Sequence, residues 1–199
     1  MSGSVDIVNR ALSKLGEAHI ASLDDDVKTA SLAASMYDNL RDAEISSHAW
    51  HFAKCRVMLP SLSEKPAFGW NFQYLLPADN LRVLEAGPWP QAVIDNLVGA
   101  DSRSFTLEGR NVLTNHGPLL NLVYLRRVTD VAMYPPVFIE ALASRLAVEM
   151  CESVTGSNTK RELAWNEYNS ALTEARRINA LGLPPQMIQD DSWMLARHA

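Results

Sequence analysis

Cysteine is almost missing from this chain: Cys55 and Cys151 are the only two among 199 residues, far apart and in no CxxC arrangement. That excludes a disulfide framework and makes a reducing cytoplasm the expected place of synthesis. Both thiols read as small buried hydrophobes. Long apolar runs are missing too. No stretch approaches the roughly 18 residues that span a bilayer, so no membrane insertion is expected. The opening MSGSVDIVNR has no basic or apolar leader pattern and does not read as a signal peptide. Positive charge is short: 18 Lys and Arg stand against 23 Asp and Glu, a net charge of −5. A protein that grips nucleic acid needs a basic face, because affinity for phosphate comes from Lys and Arg. An acidic wall lets a polyanion slide past. Internal repeats and low-complexity tracts are absent as well.

The motifs of common chemistry are also missing. There is no GxSxG, no HExxH, no Walker loop and no GxGxxG. The nearest approach to a metal site is Glu44, His48 and His51. Glu44 and His48 stand one helical turn apart, but His51 sits among bulky aromatics, and structural histidines at a helix end are the better reading. Asp24, Asp25 and Asp26 lack the alternating ligand spacing of a calcium loop and read as a solvated turn. Pairing His116 with any serine has no geometric warrant. The basic pairs Arg126-Arg127 and Arg176-Arg177 suit a strand end and a helix C-terminal turn. No catalytic, cofactor-binding or metal residue is assigned.

What is present is a pattern of helices interrupted by a proline-punctuated middle. Ser4 to Leu15 has Val8, Ala11, Leu12 and Leu15 on one face, with Ser4 as the expected cap, Asp6 in the first turn and Gly16 as the stop. Thr29 to about Ser47 follows. Ala30, Ala33, Tyr37, Leu40 and Glu44 track one side, and Ala34 and Ile45 widen it. Asp38 and Arg41 are spaced to pair on its surface. The run His48-Ala49-Trp50-His51-Phe52-Ala53 then breaks the helical period. Trp50 and Phe52 are expected to lock the second helix onto the β module, and Tyr37 is a further structural residue.

From Lys54 onward β-prone pieces replace helix periods. They are residues 55–59, 72–76, 81–84, 104–107, 112–115 and 119–128. The sequence FTLEGRNVLT predicts a hairpin. Leu120, Leu122 and Tyr124 alternate with Asn121 and Val123, so one face of that strand should be buried. Pro135-Pro136 opens a helix carrying Phe138, Leu142, Ala143, Leu146, Met150 and Val154, stopped by Gly156. Ser157 or Asn158 caps a last helix with Ala164, Tyr168, Ala171, Ala175 and Ile178, ended by Gly182. The expected fold class is α+β: a bundle of about four helices, two N-terminal and two C-terminal, with an inserted, mostly antiparallel β module. The expected division is 1–53 with 135–182 as a discontinuous bundle, 54–134 as the β insert, and 183–199 as a C-terminal arm. Met187, Ile188, Trp193, Met194 and Leu195 of that arm are candidate partner-binding residues, since apolar side chains on a terminal segment suit contact with another chain.

Several segments carry a resemblance when taken in order. They are VNRALSKLGEAHIASLDDD, AASMYDNLRDAEISSHAWHFAKCRVMLP, YLLPADNLRVL, FIEALASRLAVEMCESVTGS and EARR. Together, from about Val5 to about Asn179, the chain resembles the tail tubular protein A family, the head-to-tail adaptors or gatekeepers of short-tailed bacteriophages. The resemblance implies a structural virion protein that assembles as a ring, typically of twelve copies, beneath the portal protein. It implies a nozzle protein (tail tubular protein B) below, tail fibres attached near that junction, and a lumen through which DNA leaves without sequence-specific binding. The helical part is also similar to connectors of long-tailed phages. Two competing readings remain: a virion-associated glycan or peptidoglycan hydrolase, which needs an acidic pair lining a cleft, and a stand-alone cytosolic helical regulator.

Overall fold

The computed structural model describes residues 3–87 and 105–182. Four helices carry most of the buried surface. The first, α1 (Ser4–Leu15), starts one residue earlier than a Ser4 cap would allow. Gly3 is the cap and Ser4 is already helical, while Asp6 reaches back so that its Oδ2 accepts the Gly3 N–H at 2.8 Å. The expected stops hold for physical reasons: Gly16 and Gly156 sit at φ 77° and 62°, left-handed conformations that side chains with a Cβ rarely adopt. Asn9 pins the following loop by a two-way contact with the Ile20 backbone, each bond 2.9 Å long.

In α2 (Lys28–Ser47) the buried positions are Ala30, Ala33, Tyr37, Arg41, Glu44 and Ile45. The expected stripe is shifted: Ala34 is exposed and Leu40 only half-buried. Arg41 is not a surface residue. It takes the buried place one turn after Tyr37.

The two C-terminal helices are α3 (Pro136–Thr155) and α4 (Asn158–Leu181), and the Ser157 hydroxyl caps the latter by accepting the Lys160 N–H. α3 packs against α1, α2 and α4 together. Its buried set is accordingly wider than one stripe: Ala141, Ser144, Ala147, Val148 and Cys151 join the expected residues. A helix surrounded on several sides becomes apolar nearly all round, and alanines let its neighbours approach closely. On α4 Leu172 is buried, whereas Ile178 is exposed.

The middle of the chain resolves into two three-stranded antiparallel sheets. β1 (Lys54–Pro60), β6 (Leu119–Arg126) and β3 (Asn80–Gly87) form one in the order β1-β6-β3. β2 (Phe72–Leu75), β5 (Asn111–Thr114) and β4 (Phe105–Glu108) form the other in the order β2-β5-β4. The predicted hairpin is present, with Gly109 and Arg110 as its turn. Along β6, Leu120, Leu122 and Tyr124 point into a β core with Tyr74 and Val112. Leu125 on the opposite face joins the helical core.

Trp50 lies where chain direction changes from α2 to β1. Its ring is 1% exposed, and its indole N–H donates to the Glu44 carbonyl at 2.9 Å. The ring meets Phe138 of α3 edge-on at 5.1 Å between centroids, and Phe52 meets the same Phe138 at 4.8 Å. Both anchors therefore bear on α3 and the helical core. On the outer side of the bundle, Glu140 of α3 bonds Lys14 at 2.6 Å and Arg10 at 3.0 Å, both from α1.

Two predictions follow from these contacts. Trp50→Ala should cost about 3–5 kcal/mol in urea unfolding; a loss under about 1 kcal/mol would place the ring outside the core. The second concerns Glu140, whose carboxyl is held below its ordinary value of 4.5, chiefly by the Lys14 hydrogen bond. A depressed folded pKa gives stability that is present above the unfolded value and lost as pH falls through the folded one. Lys14→Gln should cost less than about 1 kcal/mol at pH 7, because the pair is partly solvated. The gap between variant and parent should close once pH drops from 4.5 through the folded pKa.

Candidate functional site

Glu44, His48 and His51 all lie at the C-terminal end of α2, but each turns to a different partner. Glu44 is buried, and its Oε1 accepts the Tyr168 hydroxyl at 2.5 Å, tying α2 to α4. Its Oε2 has no partner among the described residues. Burial, and then the bond to Glu44, push the Tyr168 phenol up to about 12. The Nε2 of His48 lies 3.2 Å from the Asn179 amide nitrogen. The backbone N–H of His51 donates to the Asn179 side-chain oxygen at 3.0 Å. Asn179 also donates to the Ala49 carbonyl at 3.3 Å, so one amide stitches the end of α4 to the turn after α2. Among the described residues no cluster of three His, Cys, Asp or Glu side chains is placed to hold a metal.

Two acidic residues border each of two clefts: Glu64 and Glu108 a cleft of about 410 Å³, Asp38 and Asp42 a larger one. The larger, a polar cleft of about 540 Å³, is lined by Tyr37, Asp38, Arg41, Asp42, Arg127 and Thr129, among others. Asp38 and Asp42 both border it. Each is bonded to the guanidinium of Arg41, at 2.6 and 2.8 Å, and Asp42 also takes the Arg127 Nε at 2.6 Å. The Arg41 side chain is only 7% exposed, so these charges neutralise one another in a partly dry setting. Asp42 has both of its oxygens engaged, and Asp38 gives one to Arg41. The arrangement joins α2 to the segment after β6. Tyr37 stands beside it, 5% exposed, with its phenol pushed up to about 12 mainly by burial.

The remaining candidates have structural placements. Asp25 accepts the N–H groups of Ala21 and Ser22 and so closes a turn. His116 offers its carbonyl to the Tyr74 hydroxyl at 2.6 Å. Of the basic pairs, Arg127 serves Asp42, Arg126 reaches the Met133 sulfur, and Arg177 bonds Glu174 twice. Cys151 is buried and Cys55 half-buried, both as free thiols. Met187, Ile188, Trp193, Met194 and Leu195 lie outside the described residues. Sequence reasoning missed Arg41 as a buried group, and also Asn9 and Asn179. The first had a signal: it continues the Tyr37 face by one helical turn. The two asparagines had none, since their partners are backbone groups remote in sequence.

Comparison with known families now bears on this geometry. A family model described as tail tubular protein matches residues 5–181. The chain belongs to the tail tubular protein family. Comparison with curated proteins gives no match. As a tail tubular protein it is a structural component of the phage virion tail. That fits a chain whose most buried polar groups fasten elements to one another.

The Glu44–Tyr168 link generates a test. Tyr168→Phe keeps the ring but removes the only donor to a buried carboxylate among the described residues, and should cost about 1–3 kcal/mol in chemical unfolding. A neutral result would mean that water replaces the phenol.

Proposed function

We propose that this tail tubular protein is a head-to-tail adaptor: a subunit of a ring, typically of twelve copies, that joins the portal to the nozzle and lines part of the DNA ejection channel. The family membership over residues 5–181 carries the reading. The surface supports it. A cyclic ring needs two different patches on each subunit, because its contacts are heterologous. The chain exposes large apolar side chains both on one sheet and on a helix. Met58 and Leu119, 58% and 56% exposed, lie on β1 and β6, and Leu163 and Trp165, 59% and 45% exposed, lie on α4. The net charge of −5 suits a lumen that conducts DNA without holding it. In this reading 1–53 with 135–182 form the body, 54–134 spread toward the nozzle and fibres, and the arm 183–199 engages the portal or the adjacent subunit.

Electron microscopy of the purified chain mixed with its cognate portal tests the proposal, with a closed ring on the portal expected. A chain that stays unassembled in the portal's presence would overturn it; a monomer alone would not, since a portal can template the ring. Met58→Asp with Leu119→Asp should change stability by no more than about 0.5 kcal/mol each, as exposed sites do, while abolishing ring closure. Truncation after Leu183 should weaken portal binding, and unchanged binding would remove the arm from the mechanism.

A further inference from the structure

Between β1 and β2 the chain runs as a strap, residues 61–71, without helix or strand. Hydrogen bonds fix it along its length. The Ser61 N–H donates to the Pro118 carbonyl at 3.1 Å and the Leu62 N–H to the Gln73 carbonyl at 2.8 Å. The Gln73 side-chain amide donates to the Glu64 carbonyl at 2.8 Å, and the Asn71 N–H to the Asn115 side-chain oxygen at 3.1 Å. Tyr74 and Val112 point into the β core, so their neighbours Gln73 and Leu113, paired in register, face the other side of the sheet. Leu113 is only 4% exposed there, beneath the strap. The cleft of about 410 Å³ lies between the two, bordered by strap residues Glu64, Lys65 and Phe68 and by sheet residues Gln73, Glu108 and Asn111. That volume is in the range of small-ligand sites, roughly 300–1,000 Å³.

The polar side chains of this cleft are not spent on fastening. Among the described residues Glu64, Lys65, Glu108 and Asn111 have no side-chain hydrogen bond or ion pair, and Gln73 uses only its amide N–H. Phe68 borders the same cleft and is 87% exposed, more than any other large apolar side chain among the described residues.

These groups select a class of ligand. Two carboxylates against one ammonium disfavour a phosphate or another anion. A wholly apolar ligand would leave the charged and amide groups unpaired. A sugar meets both demands. Its hydroxyls donate to carboxylates and exchange hydrogen bonds with amides, and its C–H face lies well against the negative face of an aromatic ring.

We propose that the cleft between the strap and the β2-β5-β4 sheet binds a neutral oligosaccharide. Glu64, Gln73, Glu108 and Asn111 hold its hydroxyls, and Phe68 stacks on one of its rings. The site belongs to a single chain and stands apart from the ring reading.

Nuclear magnetic resonance of the full-length chain tests this, with chitotetraose and maltotetraose as the neutral probes. At least one of them should move the Gln73 and Asn111 side-chain amides and the Phe68 ring together and saturably, with a Kd of about 1 mM or tighter. Phe68→Ala alters a solvent-facing residue, so it should keep the parent's unfolding midpoint while weakening binding about tenfold. Asn111→Ala should weaken it as well. Raising salt to about 1 M should leave the affinity unchanged, because the ligand is uncharged. No response to either glycan at about 10 mM would overturn the proposal. So would responses that survive both substitutions unchanged. A single-stranded oligonucleotide that moves these signals where the glycans do not would overturn it too, by assigning the cleft to phosphate.

Discussion

The burial of α3 on several sides is the constraint on which the rest of this molecule depends. Phe138, Leu142, Leu146 and Met150 are all within 1% of complete burial, and α1, α2 and α4 each pack against this helix. An element wrapped this way contributes apolar area to three interfaces at once, so its neighbours gain most of their stability from the same few residues. The small side chains Ala141, Ala143 and Ala147 make this possible by admitting backbones at close range. Polar groups then settle which helix goes where. Glu44 takes the Tyr168 hydroxyl, Glu140 takes Lys14 and Arg10, and Asn179 bridges the ends of α2 and α4.

The sheets attach to this body through β6 and through β3, whose Leu81 and Leu84 pack against the helical core. β6 sits in the middle of its sheet, between β1 and β3, and gives alternate side chains to two cores. Leu120, Leu122 and Tyr124 serve the β core and Leu125 the helical one. Period-two geometry makes such sharing automatic once the register is set. The aromatic group of Trp50, Phe52, Tyr134 and Phe138 closes the same junction. The ionic group of Arg41, Asp38, Asp42 and Arg127 joins α2 to the end of β6 from another side.

These joints also account for the two carboxylates that border the cleft of about 540 Å³. Asp42 is bonded to Arg41 and to Arg127, which ties α2 to the segment after β6, and Asp38 is bonded to Arg41. The polar chemistry at these joints goes into fastening. Large apolar side chains stay exposed on β1, β6 and α4.

Much of this was legible before any coordinates. Helix starts and stops followed from Gly16, Gly156, Ser157 and the Pro135-Pro136 pair, because capping is decided within a few residues. The hairpin around Gly109 and the alternation along β6 were equally local. The order of motifs along the chain already pointed to the family. What the sequence alone could not determine was which of several equivalent faces would be covered. Ala34 and Ile178 look apolar and stay exposed, while Arg41 looks like a surface cation and is buried. It also left open that the middle would split into two sheets. Local propensity sets where an element begins and ends; contacts between residues far apart in the chain decide which side of it faces water, and those exist only once the elements have packed.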